Sequence, residues 1–518
     1  MLNSLPARLA ETVARQPGAT ALVDGERRLS YAAFWRQALA AAALLRGTGV
    51  QAGDRVALVL PNGIEAAVAV YGAWLAGAIV VPLNVQARSR DLLPWLRHCD
   101  ARVLLHAAGH ADALEAAAAI GPGLHALTRE HLREALDAST ADDGTEAAAP
   151  EPASPAMILY TSGTTGSPKG VTLSHANVLA NAQAVVAYLE LGPQDSILSV
   201  LPFYYAYGSS VLHTHLLAGA CVHLAENVVF PHLLVEYLQR ERISGFSGVP
   251  STFALLLDRV PLQDYDLGAL RYLTQAGGAM SPALAARLRR VLPSPRLFVM
   301  YGQTEATSRL TWLPPERLDD KPGSVGIGVD GVRLRIVRED GGIAAPGEPG
   351  EVCAQGPGIM LGYWRDPQAT ARAVRDGWLH TGDIGHLDEE GFLFLSGRRS
   401  DMIKTGAHRV FPGDIEEAVA ELPGVGDVAA IGIDDEVMGQ VVKVYIVPRH
   451  GATLDADAVR AHCRRRLAPY KVPKTIAFVG TLPRTASGKI HRAALADPAT
   501  VLPPAPPAAA AANAAQAS

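Results

Sequence analysis

Two rhythms of apolar and polar positions run along the first part of the chain. The stretch "RLSYAAFWRQALAAAALLRGTGV" opens as a strand and continues with helical spacing, "RVALVL" reads as a strand, and "GIEAAVAVYGAWLAGA" reads as a helix. "GAIVVPLN" and "ARVLLHA" continue as strands, and this alternation predicts parallel α/β layers with helices covering both sheet faces. The uncharged run 66–83 approaches membrane-spanning length, but Gly72, Gly77 and Pro82 interrupt it. A buried helix, a turn and a strand fit it better, so no transmembrane segment is expected.

Further along, "DASTADDGTEAAAPEPASP" at 137–155 has the composition of a mobile connection. It leads into "AMILYTSGTTGSPKGVTLSHANVLANAQAVVAYL", where an apolar strand enters a glycine-rich loop and a helix is expected to follow. Strand and helix patterns alternate again through "RLFVMYGQTEAT". Residues 323–358 then become rich in glycine and β-formers, which suggests an antiparallel or barrel-like portion. After "GRRSDMIKTG" comes a compact α/β C-terminal unit, and the tail "LPPAPPAAAAANAAQAS" reads as disordered.

Composition narrows the class. A chain of 518 residues, 49% hydrophobic and 19% charged, has ample core for several folded units. A net charge of −5 gives no footprint for a polyanion, so nucleic acid is not expected as a main partner. Cys99, Cys221, Cys353 and Cys463 lack CxxC spacing, which argues against a zinc site or a disulfide framework and fits a reducing compartment. The start "MLNSLPARLAETVARQPG" lacks signal-peptide features, so a cytoplasmic location is expected.

The chemistry gathers in "YTSGTTGSPKG" at 160–170. So many glycines and hydroxyls add little to a core, whereas backbone N–H groups and hydroxyls on such a loop can converge on an anion. The segment fails the G-x-x-x-x-G-K-[ST] pattern, because Ser167 and Pro168 separate Gly166 from Lys169, and Gly170 follows the lysine. A phosphate-binding loop of another type remains.

Five stretches in order resemble the AMP-forming adenylating enzymes, a superfamily that includes acyl-CoA synthetases, peptide-synthetase adenylation domains and beetle luciferases. They are "YTSGTTGSPKGV" at 160–171, "YGQTE" at 301–305, "TGD" at 381–383, "GRRSDMIKTGAHRVFPGDIE" at 397–416 and "PRTASGKIHR" at 483–492. The resemblance is closest to the acyl-CoA ligases. It implies a large N-terminal domain of α/β subdomains plus a β-barrel-like portion, with a small mobile C-terminal α+β domain. The expected boundaries are 1–396 for the AMP-binding adenylation domain, 397–500 for the mobile domain and 501–518 for the tail.

The implied reaction joins a carboxylic acid to ATP as acyl-AMP, releases pyrophosphate and passes the acyl group to coenzyme A. An alternative acceptor is the phosphopantetheine arm of a separate carrier protein, and a non-catalytic binding protein is a third reading. Bringing a carboxylate to a phosphate requires cations and oriented donors. The resemblance gives the pyrophosphate end of ATP to Thr161, Ser162, Gly163, Thr164, Thr165, Gly166 and Lys169, and the adenine to Gly277, Gly278, Ala279, Tyr301 and Gly302. Thr304 is expected to donate to the α-phosphate, and Glu305 offers Mg²⁺ a hard oxygen ligand. Asp383 and Arg398 are assigned to the ribose, and Lys489 is the implied catalytic cation.

In "LPFYYAYGSS" at 201–210 the family commonly has a histidine where Tyr205 stands, beside the acyl pocket. Tyr205, Tyr207, Gly208, Gly248 and Met300 are candidate pocket residues, although the tyrosines also suit ordinary packing. No acidic residue stands there to meet a substrate ammonium, so a fatty or aryl acid is favoured over an amino acid. Ser400 falls where most relatives have Asp or Lys at the domain hinge, and Gly406 is expected to admit a narrow thiol arm. His213 and His215, two apart on a helix, do not share a face and are read as packing residues.

Overall fold

The computed structural model describes residues 4–138, 150–161, 168–225, 230–406, 408–449, 451–484 and 490–497. Most of the low-complexity connection and the whole Pro/Ala-rich tail lie outside the described residues. The chain divides into two compact units: Met1–Met280, Leu284–Leu334 and Cys353–His380 form one, and Ser281–Ala283, Arg335–Val352 and Thr381–Ser518 the other.

The first unit is α/β, as the alternating pattern predicts. In one of its sheets, strands Pro155–Thr161, Ile79–Pro82, Arg55–Val59, Ala101–His106 and His125–Thr128 lie parallel in that order. Ile79–Pro82 is buried at every residue, which is why such strands read as continuous apolar runs. Helix Ile64–Leu75 is likewise buried on all sides. Its one charge, Glu65, accepts from Arg27 at 2.8 Å and Arg133 at 2.6 Å, while Trp74 Nε1 donates to the Ala156 carbonyl at 2.8 Å.

The glycine-rich segment differs from expectation. It joins two antiparallel strands, Pro155–Thr161 and Lys169–Ser174, and helix His175–Leu189 begins only after the second. Lys169–Ser174 is buried from its second residue onward, so the period-2 signal that marks a half-exposed strand is missing.

A second sheet of this unit places Arg296–Tyr301, Tyr272–Gln275, Gly245–Gly248, Ser196–Ser199, Cys221–Leu224 and Thr20–Asp24 side by side and parallel. Thr311–Leu313 and Ser324–Gly328 add antiparallel strands beyond Arg296–Tyr301. Helix Ala206–Ala218 packs here and carries both histidines. His213 bonds Tyr71 Oη and Ser209 Oγ at 3.1 and 3.0 Å, and His215 bonds Tyr272 Oη and the Val211 carbonyl, each at 2.7 Å. Burial pushes the two imidazoles down to about 3 and about 4, so both are neutral core groups.

The second unit is α+β. Strands His408–Val410, Ile403–Thr405, Gly439–Pro448 and Val425–Asp435 form an antiparallel sheet, to which Thr475–Phe478 adds a parallel strand. Helices Pro412–Ala420 and Ala456–Arg466 belong to the same unit. Ile415, Val419, Val459 and Cys463 pack with Val442, Val444 and Ile446 of the sheet as its core.

Candidate active site

Parallel strands bring their carboxyl ends to one edge of a sheet, where open α/β folds bind ligands. In the first unit the adjacent strands Arg296–Tyr301, Tyr272–Gln275, Gly245–Gly248 and Ser196–Ser199 end at Tyr301, just before Gly277 and Gly278, at Gly248, and before the Tyr205 turn. Five scattered sequence candidates therefore share one edge.

Tyr301 ends its strand opposite Thr311, and Gly302 turns against the returning chain. A Cβ on Gly302 would lie 1.9 Å from the Ser308 carbonyl oxygen and 2.9 Å from Arg309 Cα, so only glycine fits. Thr304–Ala306 forms a single 3₁₀ turn. Thr307 follows at φ 65°, a left-handed conformation that costs a β-branched residue energy, and its hydroxyl donates to the Gly358 carbonyl at 2.7 Å. Beside this turn the Gln303 amide nitrogen is buried without an acceptor among the described residues.

Glu305 is held from both ends. Its carbonyl accepts from Met360 N at 2.9 Å, and its Oε1 accepts from Tyr363 Oη at 2.9 Å. On the same phenol ring, Lys169 Nζ stands 5.7 Å from the centroid. Tyr363 reaches this position because Gly362–Tyr363 pairs with Val171 and Thr172 on the strand that begins at Lys169. The lysine itself pairs with Thr161 across the hairpin. Gly170 fixes that register, since a Cβ there would lie 2.7 Å from Ile158 Cγ2 and 3.3 Å from Trp364 Cβ. Lys169 and Glu305 thus both meet one residue that sequence reasoning did not single out, the first at its ring and the second at its hydroxyl. Ser162, Gly163, Thr164, Thr165 and Gly166 lie outside the described residues.

Gly277, at φ 83°, Gly278 and Ala279 are exposed after the strand, and the Gln275 amide donates to the Gly278 carbonyl at 2.8 Å. Among the candidate pocket residues, Tyr205 is the residue before helix Ala206–Ala218, with its ring 4.7 Å from that of Tyr204. Tyr207 Oη donates to the Thr274 carbonyl at 2.9 Å, and burial raises its pKa against the opposing influence of Arg309. Met300 is buried, with Sδ accepting from Tyr188 Oη at 2.8 Å. Gly208 and Gly248 serve local packing: a Cβ on Gly208 would lie 2.2 Å from the Pro202 carbonyl oxygen, and one on Gly248 3.1 Å from Phe253 Cε2. Sequence reasoning also missed Arg309, because an arginine just past a motif carries no local sign of burial.

In the second unit, Asp383 and Arg398 face each other across strands Trp378–Leu387 and Leu393–Arg398. Arg398 Nε stands 3.1 Å from Asp383 Oδ1. Thr381 holds the turn by donating to the Val352 carbonyl at 2.7 Å and accepting from Asp383 N at 3.1 Å. Lys489 lies outside the described residues. The chain on either side of it is anchored: Arg484 and Ile490 form an antiparallel bridge, and Arg492 pairs with Glu416 at 2.6 and 2.8 Å. Burial raises the Glu416 pKa, and Arg492 opposes that rise. Ser400 Oγ donates to Asp401 Oδ1 at 2.9 Å.

Residues 9–364 match the AMP-binding enzyme family, and residues 414–489 match the AMP-binding enzyme C-terminal domain. The chain belongs to the AMP-binding enzymes. It is 36% identical to a feruloyl-CoA synthase of Amycolatopsis over 492 residues, covering 94% of this chain and 97% of that protein. It is 30% identical to a long-chain-fatty-acid–CoA ligase of Bacillus subtilis, with 96% and 95% covered. The structure of ATP-bound MatB from Rhodopseudomonas palustris superposes with a TM-score of 0.88 at 28% identity, covering 96% of this chain and 98% of that one. This AMP-binding enzyme is an AMP-forming acid–thiol ligase, which consumes ATP, a carboxylic acid and coenzyme A. Among the described residues, no helix is long and apolar enough to cross a membrane.

Proposed function

We propose that the enzyme activates a fatty or aryl acid, with Lys169 and the 161–166 segment at the pyrophosphate end of ATP and Thr304 at the α-phosphate. Tyr301, Gly302, Gly277, Gly278 and Ala279 take the adenine, and Asp383 with Arg398 takes the ribose. Lys489 neutralises charge as the substrate carboxylate attacks the α-phosphorus and pyrophosphate leaves. Glu305 would hold Mg²⁺, which when bound offsets the charge of the departing pyrophosphate.

The observation that carries this reading is the Lys169–Tyr363–Glu305 cluster. Lys169 has no ion pair among the described residues, and Glu305 has one oxygen satisfied by a phenol. A cation and a carboxylate held near each other without pairing can both address one triphosphate, the first directly and the second through a hard metal ion. The orphaned Gln303 amide beside them suits a ligand oxygen.

For the second half-reaction, the thiol of coenzyme A attacks the acyl carbonyl and AMP leaves. We assign residues 397–500 to a domain that rotates about Ser400 between the two steps, with Gly406 beside the thiol arm. The fatty or aryl preference rests on the absence of a carboxylate from 201–210, and it accords with relatives named for feruloyl and long-chain fatty acyl products. A cytoplasmic role in fatty-acid metabolism fits this chemistry.

The test is acid-dependent exchange of labelled pyrophosphate into ATP across fatty, aryl and amino acids, with and without Mg²⁺. Exchange that requires both a fatty or aryl acid and Mg²⁺ is expected. Silence with every acid would sink the reading in favour of a binding protein. Thioester analysis with coenzyme A and carrier proteins in parallel identifies the acceptor.

A further inference from the structure

Buried charges in the first unit come with partners. Glu65 has Arg27 and Arg133, and Asp195 has Arg271 at 2.9 Å. Arg309 departs from that rule. It is 3% exposed, its Nη1 donates to Ser308 Oγ, and among the described residues its Nε meets no acceptor and no carboxylate pairs with it. The guanidinium rests 4.1 Å from the centroid of the Tyr207 ring. A guanidinium cannot shed its charge, and a cation–π contact together with the neutral hydroxyls of Ser308 and Tyr188 returns only part of the hydration it has lost. The burial is complete and the charge balance is not.

The position of this cation says where its anion comes from. The Arg309 carbonyl accepts from Asn181 Nδ2 at 3.0 Å, and its Cα packs against Gly302 of the adenylate segment. Tyr207, beneath the guanidinium, lies two residues beyond Tyr205 and is tied to Thr274 at the end of its strand. The charge therefore stands between the Gly302 segment and the aromatic segment proposed above to line the acid pocket.

We propose that Arg309 determines specificity by pairing with a second carboxylate on the substrate, remote from the carboxyl that is activated. The preferred acid is then a dicarboxylic one that is thioesterified at one end. This rests on the acid-activating reading above. Arg309 is a binding residue that completes its charge balance only when such an acid is seated, and an acid lacking the second carboxylate leaves the cation unpaired.

The experiment compares kcat/KM in pyrophosphate exchange for matched pairs, each a dicarboxylic acid and the monocarboxylic acid of equal length. The native enzyme is expected to favour the dicarboxylic member by about 10²-fold, mostly through KM. Arg309→Met should bring the ratio near one, and Arg309→Lys should keep part of it. Native enzyme that exchanges with monocarboxylic acids and shows no preference overturns this inference alone. Absence of exchange with every acid overturns the ligase reading beneath it. Because the native preference needs no variant, a misfolded Arg309→Met would not shield the proposal.

Discussion

The proposed nucleotide side and the proposed acyl side of the first unit are built from different materials. Around Lys169, Gly302 and Thr304 the work falls to backbone, short hydroxyls and glycines held by strand pairing, so the geometry is set within a few consecutive residues. Around Tyr205, Tyr207 and Arg309 it falls to large side chains from a helix and a strand hairpin, whose meeting is set by tertiary packing. A reaction common to all substrates is thus separated from the recognition of a particular one. The kinetic signature follows: damage to the first side should lower turnover for all acids alike, and damage to the second should reorder them.

The largest effect, common to all acids, is expected from the second unit, in Lys489→Ala. Acid-dependent pyrophosphate exchange should fall about 10³-fold with every acid, while thioester formation from supplied acyl-adenylate stays within a few-fold of native. Equal loss of both half-reactions in a folded variant would remove the assigned role.

A smaller effect is expected for Tyr363→Phe, which keeps the ring beside Lys169 and deletes the hydroxyl that bonds Glu305. A hydrogen bond to a charged group contributes about 1.5–3 kcal/mol. At the lower end of that range kcat/KM should fall about tenfold, equally for all acids, with a raised Mg²⁺ requirement in titrations. A change in the order of acids would blur the division between the two sides.

The mildest is Tyr205→Ala. Its ring meets Tyr204 at the entry to the helix, and among the described residues the hydroxyl makes no hydrogen bond. KM values for acids of different bulk should shift by about threefold relative to one another, with the KM for ATP unchanged. Isothermal titration with ATP alone checks the second half of that statement.

Legibility in the sequence followed the same division. The adenylating motifs are contiguous because backbone turns need particular residues side by side, as Gly302 against Ser308 illustrates. The parallel α/β layers were equally readable from buried runs such as Ile79–Pro82. The strand Lys169–Ser174 escaped because burial on both faces erased its alternation. Tyr363 escaped because its meeting with Glu305, 58 residues away in sequence, depends on a two-residue strand pairing. Arg309 escaped because nothing local distinguishes a buried arginine from a solvated one.

Insertions and deletions would act on Lys169 through parity. Side chains on a strand face opposite ways in turn, so one residue added between Lys169 and Gly170 would turn the ammonium to the other face with every original side chain still present. The strand could not slide by one to compensate, because the place beside Ile158 and Trp364 has no room for a side chain. Two added residues would restore the facing but carry the charge one step farther out. Length is therefore as strict a requirement as composition on the strand side of this lysine.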